Sequence, residues 1–161
     1  MFAIQTTKTM DIRQVKQMAV NLMNKYGLLT QGWSFKFDNA KVRFGSCNYT
    51  DKEITLSRPL CVLNSEEQIL DTILHEIAHA LCPGQNHNKV WQRKAIEIGC
   101  SGNRCYSSIN VIQPKLKYSA VCNGCKSEYS KSRVSRRNCS CGKCSGGKYN
   151  PNFKLVFQPN Y

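Results

Sequence analysis

The stretch EEQILDTILHEIAHALCPGQNH, residues 66–87, holds all three histidines of a chain of 161 residues. Core packing or chance would scatter them, so their confinement asks what single object three imidazoles could hold. Ser65 followed by Gln68 is a capping-box signature for the start of a helix, and Pro83-Gly84 stops it. At about 100° per residue, Ile69, Leu70, Ile73, Leu74, Ile77 and Leu81 share an arc of roughly 140°, while His75, Glu76 and His79 fall on the opposite side. The stretch therefore predicts a helix with one face for a core and one for chemistry.

Residues i and i+4 of a helix are neighbours, so His75 and His79 can turn two ring nitrogens to one zinc ion, with Glu76 beside it and free of it. A catalytic zinc keeps three protein ligands and one open position. His87, brought back by the Pro-Gly turn, is the expected third. Glu97, on the next amphipathic segment, is the alternative, since zinc proteases with a downstream glutamate ligand exist. A zinc held by neutral imidazoles keeps its full charge, lowers the pKa of water towards about 7 and polarises a carbonyl. Glu76 is then the expected proton acceptor, and its chemistry is peptide hydrolysis. Further oxyanion stabilisation must come from an arginine, a tyrosine, an amide or the zinc alone.

Working outward, residues 9–26 place Ile12, Val15, Met18, Ala19, Leu22 and Met23 at helical spacing, ended by Gly27. WSFKF alternates Trp33, Phe35 and Phe37, KVRFG repeats the alternation, and EITLS follows the turn-like NYTD. These three predict a short antiparallel meander. Asn88 can cap a further helix in which Val90, Trp91, Ala95, Ile96 and Ile98 pack. The expected fold class is α+β: a core of helices and a meander over residues 1–114, then a separate module over 115–161.

That second module is set apart by charge and cysteine. The chain carries a formal +13 and ten cysteines. Residues 115–161 hold ten of the cations and one acid, Glu128. Without an apolar run behind a basic start no secretory signal is visible, which points to a reducing, intracellular compartment where paired cysteines bind metal. Cys122-Asn-Gly-Cys125 and Cys141-Gly-Lys-Cys144 have the spacing of a two-knuckle zinc ribbon. Cys139 is a competing ligand, but Cys141 alone repeats the first pair's spacing. Cys47, Cys61, Cys82, Cys100 and Cys105 read as buried thiols. Lys126, Lys131, Arg133, Arg136, Arg137, Lys143 and Lys148 interleave with Tyr129, Tyr149 and Phe153, a mixture of cations for phosphates and rings for bases. A polyanion is the expected partner. No run of apolar residues is long enough for a membrane span.

In this order, FGSC, EITLS, TILHEIAHAL, NHNKVWQRKAIEIGC and a terminal pair of CxxC knuckles resemble the SprT-like family over roughly residues 10–150. The family includes the Spartan proteases, which degrade proteins trapped on DNA. The resemblance implies a zincin-like metalloprotease core, a catalytic zinc on His75, His79 and His87, catalysis by Glu76, a structural zinc in the ribbon, and DNA contact by the ribbon. The compact form looks like a bacterial or viral member, lacking the long interaction tail of eukaryotic Spartans. It is expected to act as a monomer on DNA-bound proteins, in the cytoplasm near the nucleoid or in the host cytoplasm. Two rival readings stand beside it. One is a nucleic-acid-binding zinc protein with a regulatory role and little proteolysis, against which the retained Glu76 argues. The other is a general peptidase whose basic tail only aids solubility.

Overall fold

The computed structural model describes residues 10–104 and 111–161, so Thr9 and Cys105 of the sequence reading lie outside the described residues. The chain divides into two compact units, 1–114 and 115–161.

In the first unit, helix α1 (Ile12–Lys25) starts at Asp11, whose carboxylate accepts from the Arg13 amide while Gln14 reaches back to the Asp11 amide. This reciprocal cap satisfies two amides that no helical carbonyl can reach. The helix buries Val15, Ala19 and Met23. A three-stranded sheet follows: β1 (Ser34–Asp38), β2 (Gly45–Asn48) and β3 (Glu53–Ser57), in the order β1-β3-β2. Strand β3 pairs in parallel with β1, matching Phe35 to Ile54, and antiparallel with β2, matching Cys47 to Ile54.

The expected meander is thereby corrected. Only β2 and β3 form a hairpin, and the second strand begins at Gly45 rather than spanning 41–45. Alternation reports which side chains face the core, and Phe44 is indeed buried, but it is silent on partner and direction. The segment between β1 and β2 is instead tied down by Asp38, which accepts from the Ala40 amide, Thr55 Oγ1 and the Arg43 guanidinium. A short helix α2 (Arg58–Leu63), capped by Ser57, went unread in the sequence.

Helix α3 (Glu66–Leu81) carries the capping box at Ser65 and Gln68. Its Ile69, Ile73 and Ile77 are fully buried against α1 and the sheet, each contributing about 1.5–3 kcal/mol of burial. Helix α4 (Lys89–Glu97) starts at Asn88, whose side chain accepts from the Val90 and Trp91 amides. It buries Trp91 and Ala95 beside Leu74 and Ala78 of α3. Val90 and Ile96, expected in the core, are exposed, because a nine-residue helix turns only one narrow stripe inward.

The second unit is a small antiparallel sheet of β4 (Tyr118–Val121), β5 (Glu128–Lys131) and β6 (Gln158–Pro159), with β4 central, and a single helical turn α5 (Gly142–Ser145). Its core amounts to Ala120, Cys122, Cys141 and Leu155 with a rim of Phe153, Phe157 and Tyr129. So little buried apolar surface cannot offset chain entropy without a staple. Among the described residues no helix is long and apolar enough to cross a membrane.

Candidate metal centres and the cleft beside them

Two segments deliver the histidines. His75 and His79 stand one turn apart on α3, and His87 lies in the turn that leads to α4. The turn uses Gly84 at φ +77, and His87 itself adopts φ +47. A left-handed conformation is costly for any residue with a Cβ, so the chain holds His87 there against its own preference. The result is convergence: His75 Nε2 and His79 Nε2 each lie 3.0 Å from His87 Nε2. Ligands about 2.0–2.1 Å from one tetrahedral ion would stand about 3.3 Å apart, so this nitrogen set has the span zinc requires.

The donors are also in the right protonation state. Burial, reinforced by the neighbouring imidazoles, lowers the His75 pKa to about 4, and burial with the adjacent His87 lowers that of His79 to about 4. Burial, helped by the Arg104 cation, lowers that of His87 as well. Neutral imidazoles offer lone pairs to a metal instead of repelling it. All three rings rest on Trp91, whose centroid is 4.7, 5.1 and 4.6 Å from those of His75, His79 and His87. Glu97, the alternative ligand, is an exposed carboxylate paired with Lys94 and stands apart from the cluster.

Glu76 is 7 % exposed, facing the sheet edge rather than open solvent. Burial pushes its carboxyl up to about 8, with the Arg43 cation pulling the other way. It lies against Gly45 of β2: a Cβ at Gly45 would stand 2.7 Å from Glu76 Oε1 and 2.8 Å from its Cγ. Only a bare Cα leaves room for the carboxylate. Around these groups opens a cleft of about 580 Å³, walled by Arg43, Gly45, Cys47, Tyr49, Asn103 and Arg104 among others. Tyr49 Oη donates to the His79 carbonyl at 2.9 Å. Sequence reasoning left the arginine or tyrosine of the cleft unnamed, and it missed Gly45, Asp71 and Asn103. The FGSC segment was the available signal for Gly45, but nothing local revealed that it would face Glu76.

In the second unit Cys122, Cys125, Cys141 and Cys144 converge, with all four sulfurs within 4.8 Å of one another. Cys122–Cys144 and Cys125–Cys141 are 3.8 and 3.5 Å apart, against about 3.8 Å for two thiolates on one tetrahedral zinc. The Cys125 thiol is lowered to about 6 by hydrogen bonds to Ser127, and that of Cys141 is lowered by Tyr129 Oη at 2.9 Å. Cys144 is pushed up to about 12 by its thiol neighbours. Four sulfurs this close cannot all ionise until a cation sits among them, which is the condition a dication meets. Cys139 stands outside the cluster, 3.5 Å from Lys131 Nζ. Lys126, Arg133, Arg136, Arg137, Lys143 and Lys148 are exposed, and Lys131 is half-buried.

A buried glutamate stands beside three converging imidazoles, two on helix α3 and one in the turn after it, in a mixed α+β unit, and the three imidazoles form a group that could hold a metal ion. A model of the SprT-like family matches residues 13–111, and the chain belongs to that family, which is associated with metalloprotease-like function. The match ends before the four-cysteine unit. No curated protein matches the chain.

Proposed function

We propose that the chain is a zinc endopeptidase of zincin-like design, held to DNA by its ribbon and directed at proteins bound or crosslinked there. The observation that carries the hydrolytic reading is the joint placement of three neutral imidazoles and the buried Glu76 carboxylate on one cleft. Zinc bound by His75, His79 and His87 would supply charge to acidify water and polarise the scissile carbonyl. The remaining steps belong to the chain. In its ionised form Glu76 takes a proton from the attacking water and returns it to the leaving amide nitrogen. Arg43 spends part of its guanidinium on Asp38 and keeps N–H donors for charge that develops in the cleft. Strand β2 is one of the sheet's two outer strands and lines the cleft, so an extended substrate can pair along it and be laid across Glu76.

The DNA reading is supported by the +9 charge of residues 115–161, the exposed arginines and the exposed Tyr149 ring. A ribbon that neutralises phosphates raises the local concentration of protease at DNA-bound substrates without needing a deep specificity pocket. The test is digestion of a basic DNA-binding protein with and without DNA, by wild type and by the Arg133, Arg136 and Arg137 triple alanine variant. DNA should accelerate wild type only, and the variant should lose salt sensitivity of DNA binding. Equal DNA stimulation of both proteins, with the full salt slope retained, would reject recruitment by the ribbon.

A further inference from the structure

Strand β2 presents Gly45 and Cys47 to the cleft, and Tyr49 joins them just past the strand's end. Gly45 meets Glu76 on α3, and Tyr49 Oη donates to the His79 carbonyl at 2.9 Å. Glu76 and His79 are three residues apart on the helix, about 4.5 Å along its axis, so the proton acceptor and the phenol flank one stretch of the cleft. Among the described residues the only other hydroxyl on the cleft walls is that of Thr72, which is spent on the Gln68 carbonyl at 2.8 Å.

The phenol rests on a carbonyl that lacks its usual partner. The helical donor to His79 would be the amide of residue 83, and Pro83 has no N–H. The Cys82 amide covers the gap in part, shared between the Ala78 carbonyl at 3.1 Å and the His79 carbonyl at 3.0 Å. When the Tyr49 hydroxyl leaves, the His79 carbonyl still keeps Cys82, so departure orphans no backbone group. The backbone beneath the ring is fixed. Asn48 Oδ1 accepts from the Thr50 and Asp51 amides at 3.0 and 3.2 Å, and Asn48 Nδ2 donates to Asp51 Oδ2 at 2.7 Å. Lys52 Nζ closes the turn on the Gln31 carbonyl at 2.9 Å. The Tyr49 residue is nonetheless 39 % exposed, and its ring meets Trp33 only edge-on, with centroids 6.0 Å apart. An anchored Cα under a half-free ring lets the hydroxyl turn from the carbonyl into the cleft without moving the strand.

We propose that Tyr49 is a catalytic hydrogen-bond donor: its hydroxyl leaves the His79 carbonyl and donates to the oxygen of the scissile carbonyl as that oxygen gains charge. This rests on the reading of the chain as a peptidase, and it names a donor that no HExxH pattern contains. The proton stays on the phenol, and only its acceptor changes. A charged oxygen is a stronger acceptor than the neutral His79 carbonyl, which gives the exchange its direction. Arg43 precedes β2 and Tyr49 follows it, so the two donors reach the cleft from opposite ends of the strand.

The test uses Tyr49→Phe, which keeps the ring on Trp33 and removes only the hydroxyl. Two ligands built on a mapped cleavage site are compared by calorimetry with the zinc-loaded full chain. One is a phosphinic peptide, whose tetrahedral anion copies the charged oxygen. The other is the uncleaved peptide itself, bound in a Glu76→Gln background. Tyr49→Phe should weaken the phosphinic peptide about 100-fold, lower kcat by a similar factor and leave affinity for the uncleaved peptide unchanged. A hydroxyl that only ties β2 to α3 would lower the unfolding temperature and weaken both ligands equally or neither, and either result overturns the proposal. If Tyr49→Phe does not fold, difference absorption of the wild-type chain carries the test. Tyr49 is the only tyrosine among the described cleft residues, so the phosphinic peptide should shift the tyrosine band, and an unshifted band overturns the proposal. Failure of the zinc-loaded wild type to cleave any DNA-bound protein would instead sink the peptidase reading itself, and this role with it.

Discussion

Placing a methyl group on Gly45 probes the distance between the sheet edge and the Glu76 carboxylate. The new Cβ would lie 2.7 Å from Glu76 Oε1, 2.8 Å from Glu76 Cγ and 3.0 Å from Thr72 Cγ2. Ordinary contacts of this kind are about 3.5 Å or more, so the carboxylate or the strand must retreat by about 0.5–1 Å. Displacing a catalytic group by about 1 Å costs up to about 100-fold. Gly45→Ala should thus lower kcat about 10–100-fold, or about 1.4–2.7 kcal/mol of transition-state stabilisation. Its φ is not left-handed, so the backbone tolerates alanine, and the overpacking itself should cost about 1–3 kcal/mol of stability. None of the three histidines is among the atoms that the methyl meets, so zinc content should be unchanged. The assay is initial-rate cleavage of a DNA-bound protein over a range of substrate concentrations, with metal analysis of the same samples. Wild-type kcat in a folded, zinc-replete Gly45→Ala would refute the claim that this glycine makes room for the base.

Zinc uptake at the histidine site should release few protons. At pH 6 three ordinary histidines would give up about two, but His75 and His79, lowered to about 4, are already neutral there. Calorimetry in buffers of different ionisation enthalpy measures the number, and release near two would show that burial does not hold these rings neutral. For these depressed groups the unfolded chain binds more protons between pH 6.5 and 4, so the metal-free protein should lose stability as pH falls through that window. Cys141→Ser should release the ribbon zinc and disorder residues 115–161, whereas Cys139→Ser should leave it bound, because Cys139 lies outside the sulfur cluster. Equal zinc loss from both would reverse that ligand choice. Trp91→Ala should cost about 3–5 kcal/mol in chemical unfolding and weaken the histidine site, since the ring is 1 % exposed and underlies all three imidazoles.

The helix that bears the site is legible in sequence because each of its determinants is local. Ser65 and Gln68 cap it, Pro83-Gly84 ends it, and the spacing of His75, Glu76 and His79 fixes their shared face. The four ribbon cysteines are legible for the same reason, since each CxxC is a single turn of chain. What escaped was set by contacts distant in sequence. The parallel pairing of β1 with β3 joins Phe35 to Ile54 across 19 positions, which no alternation of Phe35 and Phe37 encodes. Gly45 meets Glu76 across 31 positions, and Ser101 meets Asp71 across 30. Val90 and Ile96 failed as core residues because their periodicity fits two faces of a short helix, and Trp91 with Ala95 won the inner one.

The central claim, that Glu76 is the proton-transferring base of a zinc peptidase, is tested most directly by Glu76→Gln. The substitution preserves shape and hydrogen-bonding reach while removing the basic oxygen, and it leaves His75, His79 and His87 in place. Zinc content and cleavage of a DNA-bound basic protein are measured on the same preparation. The account predicts wild-type zinc at the histidine site and nearly complete loss of cleavage. Cleavage at close to the wild-type rate by zinc-loaded Glu76→Gln would contradict it.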